Sequence, residues 1–223
     1  MIKVHHLNNS RSQRVLWLLE ELGLPFEVVR YERDPNTLLA PAALRAVHPL
    51  GKSPVLEDGA LVLAESGAII EYLAETYGAD RLLPPPGTPE WRRLRYWMHY
   101  AEGSAMPPLL MSLVFSKVRS APAPFFVRPV ARAIADKVMA EFIGPQLRLH
   151  VDYMEGELAR SAWFAGDRFS AADIQMSFPI EAAQARGAVT GAHPRLQAFL
   201  AAIHGRLAYQ RALEKGGPYE LMR

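Results

Sequence analysis

The sequence predicts an α/β domain at its N-terminal end followed by an all-helical domain. Three observations carry this. A strand, a helix and a second strand read out within the first thirty residues. A hairpin signal, Asp58-Gly59 between two apolar runs, is followed by a helical pattern. Beyond the proline cluster at Pro84-Pro85-Pro86 the strand pattern disappears and helical spacing takes over. The length, 223 residues, suits one large or two small domains.

Ile2-Lys3-Val4-His5-His6-Leu7 reads as a short strand. Its side chains alternate between faces, so His5 and His6 cannot share a metal ion from a regular strand. Asn8-Asn9-Ser10-Arg11-Ser12 is a polar loop of cap-forming residues. It leads into Val15, Leu16, Leu18, Leu19 and Leu22 at helical spacing, which Gly23 and Pro25 end. Phe26 to Val29 is the second strand, and a right-handed crossover makes the two strands parallel. A short helical piece from Ala40 to Val47 stops at His48-Pro49. The Asp58-Gly59 hairpin follows, then a helix carrying Ile69, Ile70, Leu73 and Tyr77 on one face. The order βαβαββα over residues 1–78 is the thioredoxin-like arrangement.

Residues 79–88 read as a linker, rich in proline with Gly78 and Gly87 at its ends. Residues 89–223 read as the helical domain. Trp91, Leu94, Trp97, Met98 and Tyr100 belong to a long helix that Met106-Pro107-Pro108 must bend or interrupt. Pro129 and Pro145 mark further breaks or starts. Ser170-Ala171-Ala172-Asp173 reads as a capping box, with Phe169 and Ile174 at the staple positions. Its role is to anchor a buried helix, not to do chemistry. The ending at Gly216-Gly217-Pro218 reads as loose.

Composition bounds the function. Half the residues are hydrophobic, enough for a packed core. The net charge of +2 gives no argument for nucleic acid or an anionic membrane as partner. With no cysteine, disulfides, cysteine metal sites and a cysteine nucleophile are excluded. No apolar run approaches a membrane span and the N-terminus lacks an apolar signal segment. The reading is of a soluble, cytoplasmic protein with no metal and no cofactor of its own.

Two stretches carry candidate chemistry. Gly51-Lys52-Ser53 is not the end of a P-loop, because position 46 is Ala46 and a hairpin follows the serine. Glu65 and Ser66 stand at a helix start, where free backbone N–H groups hold anions. Ser10 lies at the carboxyl end of the first strand, where ligands gather in open α/β folds. From spacing alone, Ser10 or Ser12 is as well read as a plain helix cap, and Lys52 and Glu65 as solvated charges.

Gly51-Lys52-Ser53-Pro54-Val55-Leu56, a hairpin, then Glu65-Ser66-Gly67-Ala68-Ile69 resembles the glutathione-binding segment of the glutathione S-transferase family, in its serine-type fungal and bacterial members. The Ser170-x-x-Asp173 placement also resembles a motif of that family's helical domain. The resemblance spans nearly the whole chain and implies that the bond before Pro54 is cis. It implies that Ser10 donates a hydrogen bond to the sulfur of glutathione, with Ser12 and Asn9 as the other candidates. Arg11 departs from several subgroups; beside Ser10 it would support the thiolate or line the second substrate's pocket. Lys52 would pair the glycine carboxylate, and Ser53, before Pro54, would offer its backbone to the cysteinyl part. Glu65 would take the amine, and Ser66 with the helix N-terminus the γ-glutamyl carboxylate. An electrophile pocket is expected between the domains at Tyr100, Ser104 and Met106. Glutathione is then a co-substrate, a small hydrophobic electrophile the second substrate, and a homodimer through the Ile69 and Trp97 helices the expected assembly. The implied activity is conjugation or peroxide reduction by the glutathione thiolate. Glutathione-dependent disulfide reduction and a non-catalytic binding role on the same scaffold are the alternatives.

Overall fold

The computed structural model describes residues 1–35, 37 and 39–220. Its first part is built on β1 (Ile2–Leu7), α1 (Ser12–Leu22), β2 (Phe26–Tyr31), α2 (Ala42–Val47), β3 (Val55–Asp58), β4 (Leu61–Ala64) and α3 (Ser66–Tyr77). The expected βαβαββα order is present. The sheet runs β2-β1-β3-β4. β1 pairs in parallel with β2, Val4 opposite Val28, as the crossover rule requires. On its other side β1 pairs antiparallel with β3, Val4 opposite Leu56. The hairpin register sets Val55 against Ala64 and Asp58 against Leu61, with Gly59 at φ 60 supplying the turn.

α1 ends as its sequence dictates. Gly23 adopts φ 70, and the N–H groups of Gly23 and Leu24 close on the carbonyls of Glu20 and Leu19. The helix is buried nearly all round, because it packs on α3 and on helices of the second part. Val15, Leu16, Trp17, Leu18 and Leu19 are fully buried in one continuous core shared by both parts.

A short helix α4 (Ala79–Leu82) lies in the connecting stretch, and from Pro89 the structure is helical. α5 (Pro89–Tyr100) is capped by the Thr88 side chain, which accepts from the Trp91 N–H. One π turn, Ala101–Ala105, separates it from α6 (Met106–Ser120), whose first turn holds the two prolines. The expected interruption thus takes the form of a π turn. A second one, Met139–Ile143, joins α7 (Arg128–Val138) to α8 (Gly144–Leu158), so Pro129 and Pro145 both open helices. α9 (Ala171–Ala185) is almost wholly buried, and α10 (Pro194–His204) and α11 (Leu207–Gly216) follow.

The capping box at Ser170 forms. The Asp173 carboxylate accepts from the Ser170 N–H at 2.8 Å and from the Phe164 N–H at 2.9 Å. Phe169 packs against Trp17 and Trp163 and lies under Arg206.

Residues 216–220 are tied down, contrary to expectation. Gly216 is buried against Leu16, Gln13 and His6, so close that a Cβ would meet Leu16 at 2.9 Å. Beyond it the Tyr219 hydroxyl donates to Glu181 at 2.8 Å, and the Glu220 N–H donates to Asn9 Oδ1 at 2.6 Å. The lack of side chains at Gly216 and Gly217 is what admits this close approach, not a source of disorder.

Candidate active site

The polar loop after β1 carries the central side chains. Asn9 takes the left-handed conformation, φ 49, which asparagine tolerates. Ser10 is buried, with its Oγ 2.6 Å from Ser12 Oγ and 3.4 Å from Ser53 Oγ. Ser12 Oγ lies 2.8 Å from His6 Nδ1. Burial holds the His6 ring neutral, its pKa lowered to about 4, with Arg30 adding to the effect. The Gly216 backbone and Glu32 act in the opposite sense but are outweighed. A continuous run of short contacts thus links Ser10 through Ser12 to His6. The chain Ser10–Ser12–His6 was not legible in the sequence; a loop serine two residues from another is an ordinary cap signal.

Ser53 is a pin as well as a wall residue. Its Oγ donates to the His5 carbonyl at 2.9 Å and accepts from the Leu7 N–H at 3.1 Å. This ties the loop before Pro54 to the end of β1. The Ser53–Pro54 bond is cis. Because Val55 pairs with Ala64, the hairpin sets Ser53-Pro54 alongside Glu65-Ser66. Glu65 sits at φ 72, ψ 117, a conformation that costs a non-glycine residue about 1–3 kcal/mol. It is the N-cap position of α3 and makes no side-chain cap bond, so the first N–H groups of α3 have no capping side chain from it.

Arg14 is fully buried and ties four elements together. It donates to Ser66 Oγ at 2.7 Å, to the Gln175 carbonyl at 2.6 Å and to Glu102 Oε1 at 2.5 Å. Arg11 Nε meets the same Glu102 carboxylate at 2.9 Å. Burial raises the Glu102 pKa, but the two guanidiniums outweigh it and hold the carboxyl below its usual value.

These residues border a cleft of about 420 Å³ between the sheet and the helices. One wall holds Ser10, Arg11 and Ser53 with Arg45 and Lys52. Every charged side chain lining the cleft is a cation. The opposite wall is mainly apolar, made by Met106, Leu110, Leu113, Phe178 and Ala182, with Arg186 one turn beyond Ala182. Of the three residues expected on the electrophile side, only Met106 belongs to it. Tyr100 instead points into an aromatic cluster with Trp97 and Tyr153, its hydroxyl 2.5 Å from His150 Nδ1. Ser104 is not part of the wall either. The wall follows the face of Met106, Leu110 and Leu113 on α6, and Ser104 and Tyr100, two and six residues before Met106, lie on another side of the helix. Glu65 and Ser66 are likewise outside the cleft wall and lie beside it across the hairpin. Leu110, Leu113 and Phe178 were missed, since apolar residues at helical spacing read as core.

The chain matches the family model for the glutathione S-transferase N-terminal domain over residues 10–76, and that for the C-terminal domain over residues 123–206. It is 35% identical to glutathione S-transferase 1 of Saccharomyces cerevisiae, across 96% of this chain and 95% of that one.

The chain belongs to the glutathione S-transferase family.

Another relative, glutathione S-transferase 3 of Schizosaccharomyces pombe, is also 35% identical, over 96% of this chain and 88% of that one. Among solved structures, a glutathione S-transferase from Actinobacillus pleuropneumoniae matches at a TM-score of 0.74 and 32% identity, covering 97% of this chain and 93% of its own. A sphingomonad glutathione S-transferase complexed with glutathione matches at 0.71 and 26% identity, covering 96% and 98%. As a member of this family the chain is a transferase enzyme with an α/β sheet domain and a helical domain.

Proposed function

We propose that this transferase binds glutathione across the cationic wall of the cleft, holds its sulfur as thiolate beside Ser10, and directs it at a hydrophobic electrophile on the apolar wall. The observation that carries the reading is the placement of Ser10 Oγ on a cleft whose charged side chains are cations and whose far wall is mainly apolar. Lys52 would meet the glycine carboxylate as a point charge. The backbone of Ser53, beside Pro54, would pair with the cysteinyl part in strand fashion. Glu65 would meet the amine, and the α3 N-terminus with Ser66 the γ-glutamyl carboxylate. Arg11, held by Glu102, stands beside the sulfur position as a fixed positive charge.

The energetics suit a shared task. A free thiol has a pKa of about 8.5. Lowering it by about two units takes roughly 2.7 kcal/mol. A hydrogen bond to a charged acceptor contributes about 1.5–3 kcal/mol, and a neutral one about 0.5–1.5. Ser10 Oγ already shares a hydrogen bond with Ser12 Oγ, so its net share is the difference, about 1–1.5 kcal/mol. The N-terminus of α1 adds about 0.3–1 kcal/mol. The rest falls to the cationic wall. No general base is required.

Conjugation is the reading the apolar wall favours, because Met106, Leu110, Leu113 and Phe178 offer no polar partner to a disulfide-linked peptide. Reduction of an apolar peroxide by the same thiolate fits the same wall. The dimer through α3 and α5 remains the assembly we propose. Turnover of an aryl halide by Ser10→Ala tests the assignment. We expect a fall of about tenfold or more in kcat, with glutathione KM nearly unchanged. Unchanged kcat would remove Ser10 from the reaction.

A further inference from the structure

The end of the α6–α7 hairpin is unlike the rest of the surface. Val118, Phe125, Phe126, Val127, Val130 and Ile134 are all exposed large apolar residues, Phe125 by 82% and Phe126 by 66%. α6 and α7 pack on each other and are joined by residues 121–127, so the two phenylalanines cap the turn. Their rings meet edge to face at 5.5 Å, braced by one another. Val130 and Ile134, four apart, extend the apolar face along α7.

Charge is concentrated at the same place. Residues 117–137 hold five cations, Lys117, Arg119, Arg128, Arg132 and Lys137, against one carboxylate, Asp136. That leaves the other residues with twenty cations and twenty-three less one, or twenty-two, carboxylates. The small net charge of the whole chain therefore hides a strongly basic tip on a slightly acidic body. Asp136 is engaged by Arg119 at 2.7 Å, so it does not neutralise the others.

We propose that this tip docks on an anionic phospholipid bilayer surface, with Phe125 and Phe126 entering the boundary between headgroups and acyl chains and Lys117, Arg128 and Arg132 meeting lipid phosphates. Aromatic side chains at a tip flanked by cations combine the two terms that hold a protein at such a surface, apolar burial and attraction to anionic lipid. A second copy of this chain is a poor occupant. Tip-to-tip contact would face five cations with five, and one already paired carboxylate on each side would not offset them. The contact is peripheral, since no helix among the described residues is long and apolar enough to cross a membrane.

One consequence deepens the transferase reading and rests on it. Leu110, Val114 and Val118 lie four residues apart on α6 and are all exposed, and Leu110 also lines the cleft. An apolar stripe thus leads from the tip to the mouth of the site. Electrophiles dissolved in the bilayer, lipophilic compounds lacking charge, are the substrate class such a path admits.

Flotation of the full chain with vesicles tests the docking without reference to catalysis. We expect it to rise with phosphatidylcholine vesicles containing phosphatidylserine, to stay behind with phosphatidylcholine alone, and to be released by added salt. The double variant Phe125→Ser/Phe126→Ser should lower partitioning at least about tenfold. Lys117→Gln/Arg132→Gln should lower it by about twenty-five-fold, at roughly fivefold per cation. Neither should alter turnover of a water-soluble electrophile. The docking is overturned if the protein fails to float, floats equally with both vesicles, or floats undiminished in both variants. It is also overturned if the variants change the sedimenting mass without lipid, since the surface would then be a self-contact. If docking holds but vesicles do not speed turnover of a lipid-dissolved electrophile, only the substrate path falls.

Discussion

His6 is the side chain that most constrains the polar loop. Its ring is 2% exposed and is held neutral at a pKa of about 4, against an ordinary value of 6.5. The folded value is depressed, so its stabilising share is complete above pH 6.5 and is lost as pH falls from there through about 4. The shift corresponds to about 3 kcal/mol. Denaturant midpoints measured from pH 7 down to 4 should show this loss, and His6→Gln should flatten that limb; a parallel limb in the variant would put the titration elsewhere. Glu65 carries a different constraint, its φ of 72. Glu65→Gly should raise stability by about 1 kcal/mol by relieving that conformation while raising the glutathione KM. A stability gain without a KM change would leave the strain but remove the ligand role. At this scale the sequence was partly legible. Ser10, Lys52 and Ser53 could be placed on the cleft because strand ends and a marked proline locate them. His6 could not, because a strand histidine carries no sign of what its alternating face will meet.

At the level of elements, the punctuation residues were the readable part. Gly23, Asp58-Gly59, Pro107-Pro108, Pro129, Pro145 and Ser170 each mark a boundary that the structure has within a residue or two. What could not be read was phase across an irregular turn. Met106, Leu110 and Leu113 share one face, and Tyr100 and Ser104, six and two residues before Met106, fall off it, with the π turn at 101–105 shifting the phase further. The cap of α9 is the element whose loss is most easily measured. Asp173 satisfies the N–H groups of both Ser170 and Phe164, and burial nonetheless raises its pKa to about 7. Asp173→Ala should cost about 1–3 kcal/mol in urea unfolding, through the lost cap and an orphaned Phe164 N–H. A change below about 0.3 kcal/mol would mean that water replaces the carboxylate there.

Across the whole molecule, Arg14 centres the most deeply buried of the ion clusters that fasten the sheet part to the helices, beside those of Glu20 and Glu21 with Arg206, Arg211 and Lys215. Arg14 reaches Ser66 on α3, Gln175 on α9 and Glu102 in the π turn, and Arg11 closes on the same carboxylate. Glu102→Ala leaves Arg14 buried without its counter-charge. Breaking a fully buried pair costs about 3–5 kcal/mol; with Glu102 33% exposed the expected cost is about 2–3 kcal/mol. Unfolding followed by two probes, one in each part, should separate into two steps in the variant if the cluster couples them. The two-part division was legible from the loss of strand pattern after the prolines. The coupling was not, since arginines and a glutamate nearly ninety residues apart give no local signal. The cleft this coupling shapes is where the account is most directly tested. Titrating the ultraviolet absorbance of thiolate in bound glutathione compares the wild type with Ser10→Ala. The wild-type sulfur should ionise near pH 6.5, about two units below a free thiol, and the variant about one unit higher or more with affinity little changed. A bound thiol that ionises at the same pH in both proteins, or near 8.5 in the wild type, would contradict the account.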